Sequence, residues 1–139
     1  MPGNNWLNSV KNNLARNWFI LADEELLYAK AGFRETTNYR YVCFDCQQIA
    51  EKYLKGYSQF SDIPFPKTHN LIELLSLMAH ADKNFLNFTD KCKILDRYYI
   101  ETRYPGGSIE IFSKKQAAEA LEIAEEIIGF IALKVKGVI

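Results

Sequence analysis

Prolines and paired glycines, the residues that most sharply limit which elements a chain can build, gather in two connections. Pro64 and Pro66 occupy one and Pro105-Gly106-Gly107 the other. The long stretches between them carry apolar residues at three- and four-residue steps, the period of a helix packed on one side. A first helix, about residues 10 to 33, aligns Ala15, Trp18, Ala22, Leu26, Ala29 and Phe33 and turns Asp23, Glu24 and Lys30 away. A second, about 36 to 60, aligns Tyr39, Val42, Cys43, Cys46, Ile49, Ala50, Tyr53 and Tyr57, leaving Asp45, Gln48, Lys52 and Lys55 on another face. Glu51 and Lys55 stand in the favourable i, i+4 order. A short third helix, about 69 to 81, groups Leu71, Leu74, Leu75 and Met78. A fourth, about 84 to 101, carries Phe85, Phe88, Cys92, Leu95 and Tyr99. The last opens on Ser113-Lys114-Lys115-Gln116, a capping box, and repeats Ala117, Leu121, Ala124, Ile127, Ile128, Ile131 and Val135. Only Ser108 to Phe112 is strand-like, and one isolated strand makes no sheet. The expected fold is all-α, an up-and-down antiparallel bundle of four to five helices.

Composition narrows the function classes. At 139 residues the chain forms one expected domain, 1–139, with its core in about 10–135. Its 17 basic and 17 acidic side chains cancel, so any anion site must be a local patch. No apolar run approaches the roughly 18 residues of a spanning helix, and the start of the chain lacks a leader pattern, which predicts a cytoplasmic protein with no membrane association. Three cysteines, an odd number, suit a reducing compartment. The C-x-x-C of Cys43 and Cys46 lacks two further ligands for a tetrahedral ion and falls on the apolar stripe, so no metal and no cofactor are expected.

The densest chemistry lies in Asp96-Arg97-Tyr98-Tyr99-Ile100-Glu101-Thr102-Arg103-Tyr104. Guanidinium forks hold phosphate bidentately and tyrosines stack or donate hydrogen bonds, so Arg97, Arg103, Tyr99 and Tyr104 are candidate ligand-binding residues. The plainer alternative is internal pairing of both arginines with Asp96, Glu101 or acids of the last helix. Lys52 and Lys55, three apart, could draw in phosphate or simply form a solvated face. His69 stands at a helix start, as a cap or as part of the same site, whereas His80 has no supporting neighbours.

Three separated segments carry a resemblance: Gln47-Gln48-Ile49-Ala50-Glu51-Lys52-Tyr53-Leu54-Lys55, Lys67-Thr68-His69-Asn70-Leu71, and Tyr98 to Pro105. In this order, on a helical chain of this size, they make it similar to the small HEPN-domain proteins of bacteria and archaea. The resemblance implies a bundle like the substrate-binding domain of nucleotidyltransferases, a homodimer, a minimal nucleotidyltransferase as partner in a toxin–antitoxin pair, and a nucleotide or RNA ligand. Many such proteins resemble metal-independent ribonucleases that use an arginine followed, after four to six residues, by a histidine. Here Thr102, Arg103 and Tyr104 occupy those positions after Arg97, and Ser108, Ile109 and Glu110 occupy them after Arg103. With the histidine missing, a binding protein is expected before an enzyme, and catalytic residues stay unassigned. The alternatives are a ribonuclease with a degenerate Arg97 and Tyr104 site, for which a phenol of reference pKa about 10 is a poor proton carrier, or a purely structural interaction module.

Overall fold

The computed structural model describes residues 2–101 and 111–136, with side chains for 11–100 and 111–136. Five helices follow in order: α1 (Pro2–Glu35), α2 (Tyr39–Phe60), α3 (Leu71–Met78), α4 (Thr89–Glu101) and α5 (Lys114–Val135). They form the expected helical bundle, and no strand occurs among the described residues.

The hub is α2, which packs against all four other helices. From Tyr53 to Ser58 every residue is buried, so this stretch has no solvent face. Gly56 permits the closest approach to α1, since a Cβ there would meet the Phe19 ring at 2.5 Å. Phe19, not Trp18, is the deep aromatic of α1; Trp18 is half-buried and stands edge-on to Phe65 at 6.4 Å. The core then runs through Ile49, Leu54, Leu74, Leu75, Leu95, Ile127 and Ile131, all at most 2% exposed. Burial of this many large aliphatic side chains, each contributing about 1.5–3 kcal/mol, dominates the stabilisation of the bundle.

The capping box forms as the sequence predicts: Ser113 Oγ accepts from Gln116 N–H at 3.1 Å, and Gln116 Oε1 accepts from Ser113 N–H at 2.8 Å. Other ends differ from expectation. The fourth helix is two elements, because Asp82 Oδ1 accepts the Asn84 N–H at 2.9 Å and starts a 3-10 turn over Lys83–Phe88, after which Thr89 opens α4. Likewise α3 is shorter than 69–81. Asn70 caps it through the Glu73 N–H at 3.0 Å, and residues 79–81 continue as a turn. No helix among the described residues is long and apolar enough to cross a membrane.

Cys43, Cys46 and Cys92 are free thiols packed in the core. Burial pushes Cys43 and Cys92 up to about 12 and raises Cys46 as well, which leaves all three protonated and unreactive.

Candidate functional site

A cleft of about 640 Å³ opens where the start of α3 meets the outer face of α4. Ile72 and Ile100 give it apolar walls, and His69, Lys93, Asp96, Arg97 and Tyr99 give it chemistry. Helical spacing explains the α4 contribution: Lys93, Arg97 and Ile100 lie at steps of four and three and so share a face.

Asp96 is already committed. Its two oxygens accept the Leu71 N–H at 2.9 Å each, and Oδ2 also accepts the Ile72 N–H at 3.3 Å. Unpaired donors of the first turn of α3 are thereby satisfied from a neighbouring helix, and the dipole of α3 favours the negative charge. Burial nevertheless raises the Asp96 pKa, with these backbone donors opposing the rise. Asp96 therefore ties α3 to α4 at the edge of the cleft.

His69 is held on three sides. Its Nδ1 lies 3.0 and 3.2 Å from the two oxygens of Glu51. Its carbonyl accepts from Gln47 Nε2 at 2.8 Å. Its ring stacks on Tyr99 with centroids 4.6 Å apart and planes 18° from parallel. The side chain remains 54% exposed, whereas Glu51 beneath it is only 6% exposed. Glu51 also accepts from Lys55 Nζ at 3.0 Å, and that ammonium lies over the rings of Trp18 and Phe65 at 5.7 and 5.9 Å. Tyr99 in turn stacks on Phe44 of α2 at 6.2 Å, so its ring serves first to join α2, α4 and the segment before α3.

The structure thus brings together His69, Arg97 and Tyr99 of the residues singled out from sequence. Neither Lys52 nor Lys55 lines the cleft, and the two engage different partners. Lys52 bonds Glu25 of α1, and Lys55 is buried beneath His69 as the partner of Glu51. The open basic face expected for Lys52 and Lys55 does not form, because the second half of α2 is enclosed by its neighbours. Arg103 and Tyr104 lie outside the described residues.

Sequence reasoning missed Lys93 and the burial of Glu51. Lys93 could have been found as the residue one turn before Arg97. Gln47, Glu51 and Lys55 also recur every four residues, a polar stripe on an otherwise apolar helix. Among the described residues no group of three or more histidines, cysteines or carboxylates is arranged to hold a metal ion.

A second, smaller pocket of about 450 Å³ lies between α1 and α2, lined by Glu24, Glu25, Tyr28, Phe44 and Asp45. Burial first, then the charge of Glu25, pushes Asp45 up to about 6, with Lys52 pulling the other way.

An all-helical bundle with this motif order has a family. The HEPN domain matches over residues 15–135, most of the chain, and the protein belongs to that family. It is also similar in fold to a crystal structure described as an archaeal HEPN homologue, with a TM-score of 0.70 and 24% identity, covering 88% of this chain and 98% of that one. No curated protein sequence matches it.

Proposed function

We propose that this HEPN domain binds a nucleotide or nucleic-acid phosphate in the cleft between α3 and α4. Membership of the family supports a nucleotide- or RNA-related role in general. The observation that carries the reading is the convergence of Lys93, Arg97 and His69 on one cleft while both nearby carboxylates, Glu51 and Asp96, are engaged elsewhere. Among the described residues the two carboxylates nearest the cleft already accept hydrogen bonds from protein donors. Arg97 takes the phosphate through its guanidinium fork and Lys93 adds a point charge. Ile72 and Ile100 accommodate the apolar edge of a base or sugar. Arg103 and Tyr104, ligand-binding candidates by residue type, remain part of the proposal as sequence candidates only, outside the described residues.

The partner reading follows from the same resemblance: a second copy of the chain, and a minimal nucleotidyltransferase whose activity the protein accompanies in a toxin–antitoxin pair. Titration calorimetry with AMP, ATP and a short single-stranded RNA tests the ligand. Micromolar or tighter binding to one of them, falling at high salt, is expected, and no heat for any of the three would defeat the reading. Light scattering tests self-association, where a monomer at micromolar concentration would count against the dimer.

A further inference from the structure

We propose that the outward face of α1 is where a second copy of this chain docks, with the two α1 helices antiparallel about a two-fold axis between Ile20 and Leu21. The inference rests on the reading that the chain pairs with itself, and it adds the surface and the register.

Five of the ten exposed large apolar side chains among the described residues stand on α1: Leu14, Ile20, Leu21, Leu27 and Tyr28, between 45% and 81% exposed. They follow a repeat. Leu14, Leu21 and Tyr28 recur every seven residues, and so do Ile20 and Leu27, which makes two rows over about 21 Å of helix. The rows lie opposite the inward stripe of Ala15, Phe19, Ala22 and Ala29, each at most 8% exposed. That stripe packs α1 against α2 and α5, and the outer rows are left to solvent. A single exposed leucine needs no explanation, whereas a double row at the period of paired helices marks a surface that another helix covers.

Charge decides the orientation. Between the rows run Asn17 and Glu24, both exposed, with Arg16 on the flank. Neither Arg16 nor Glu24 takes part in an ion pair among the described residues. A parallel copy would set Arg16 against Arg16 and Glu24 against Glu24, and an antiparallel copy centred on Glu24 would again oppose two carboxylates. Moving the axis to the gap between Ile20 and Leu21 removes both conflicts. Leu21 then meets the partner's Leu21, Ile20 the partner's Ile20, and Leu14 the partner's Tyr28. Glu24 comes level with the partner's Asn17, whose amide is a donor. On the flank Arg16 comes level with the partner's Asp23, which accepts from Tyr53 Oη at 2.6 Å and keeps lone pairs for a guanidinium. The face is thus complementary to itself in one arrangement, as a two-fold interface requires.

The test uses the full chain, which light scattering at micromolar concentration is expected to report as a dimer. Leu21→Glu, at a half-exposed position, is expected to keep the fold by circular dichroism and to weaken self-association about 30-fold or more, because it sets two carboxylates beside the axis. Leu133→Glu, at an exposed position of α5, should leave the dimer unchanged. Air oxidation of single-cysteine variants reads the register, since Cys43, Cys46 and Cys92 are buried and protonated and do not compete. Ile20→Cys and Leu21→Cys should each link to their own copy, Leu27→Cys should not, and Leu14→Cys should link to Tyr28→Cys when the two are mixed. A dimer that survives Leu21→Glu, or Leu27→Cys linking to itself as readily as Leu21→Cys, overturns this surface and register and leaves self-pairing standing. A wild-type monomer removes both.

Discussion

The cleft that holds His69 and the pocket between α1 and α2 meet at the Phe44 and Tyr99 rings, yet they treat their carboxylates in opposite ways. In the cleft the acids among the described residues have donors: Glu51 has Lys55 and His69, and Asp96 has two backbone N–H groups. In the pocket Glu24, Glu25 and Asp45 crowd together with Lys52 as the near cation, and Glu25 Oε2 is buried without a hydrogen-bond partner. Asp45 responds by holding its proton up to about 6. Burial raises both Asp45 and Asp96; hydrogen-bond donors oppose the rise at Asp96, whereas the charge of Glu25 adds to it at Asp45. The first region pairs the two acids described there with donors; the second lacks donors for the charge it has.

Breaking the first arrangement should cost the most. Glu51→Ala strands the Lys55 ammonium in the core, and a loss of about 3–5 kcal/mol in urea unfolding is expected. A loss below about 1 kcal/mol would mean that Lys55 escapes to water and that the network beneath His69 is weak. Next comes the ligand. Arg97→Ala should weaken nucleotide or RNA binding by about 10- to 100-fold, as loss of charge-assisted hydrogen bonds does, while Asp45→Asn in the neighbouring pocket should leave it unchanged. Calorimetric titrations in which the two substitutions weaken binding equally would dissolve the distinction between the regions.

The smallest effect concerns pH. Folded Asp45 keeps its proton to about 6, against an ordinary value of 3.8, so the folded state binds the proton more tightly than the unfolded chain does. Its contribution is therefore most favourable below about pH 4 and is lost as pH rises through about 6. Asp45→Asn should accordingly be more stable than the wild type by about 1–2 kcal/mol at pH 7, after a discount for partial exposure, with the advantage vanishing near pH 4. Thermal melts across that range check the sign, and an advantage that grows on acidification would contradict it.

Much of the bundle could be read from residue spacing, and the reasons are local. The Ser113 and Gln116 pair defines a helix start through contacts three residues apart, and the stripe of Cys43, Cys46, Ile49 and Ala50 needs only the helical period to point inward. The break between the 3-10 turn and α4 was not legible, because Asp82 and Thr89 redirect the backbone through single hydrogen bonds within a continuous apolar pattern. The site was half legible. Arg97, Tyr99 and His69 stood out by residue type, but Glu51 and Lys55 read as a solvated i, i+4 pair. Packing by residues far away in the chain, Trp18 and Phe65 over Lys55 and His69 over Glu51, buries them. Lys52 was grouped with Lys55 by sequence proximity, and Glu25 of α1 draws it to the other region.

The chain has two histidines, so their imidazole signals in a nuclear magnetic resonance spectrum give a direct test that one cleft gathers ligand, cation and imidazole. On titration with a short single-stranded RNA, the His69 Nε2 resonance and the Lys93 and Arg97 amides should shift together and saturate with one affinity, while His80 stays still. Saturable shifts confined to the residues around Glu25 and Asp45, with His69 unmoved, would contradict the account.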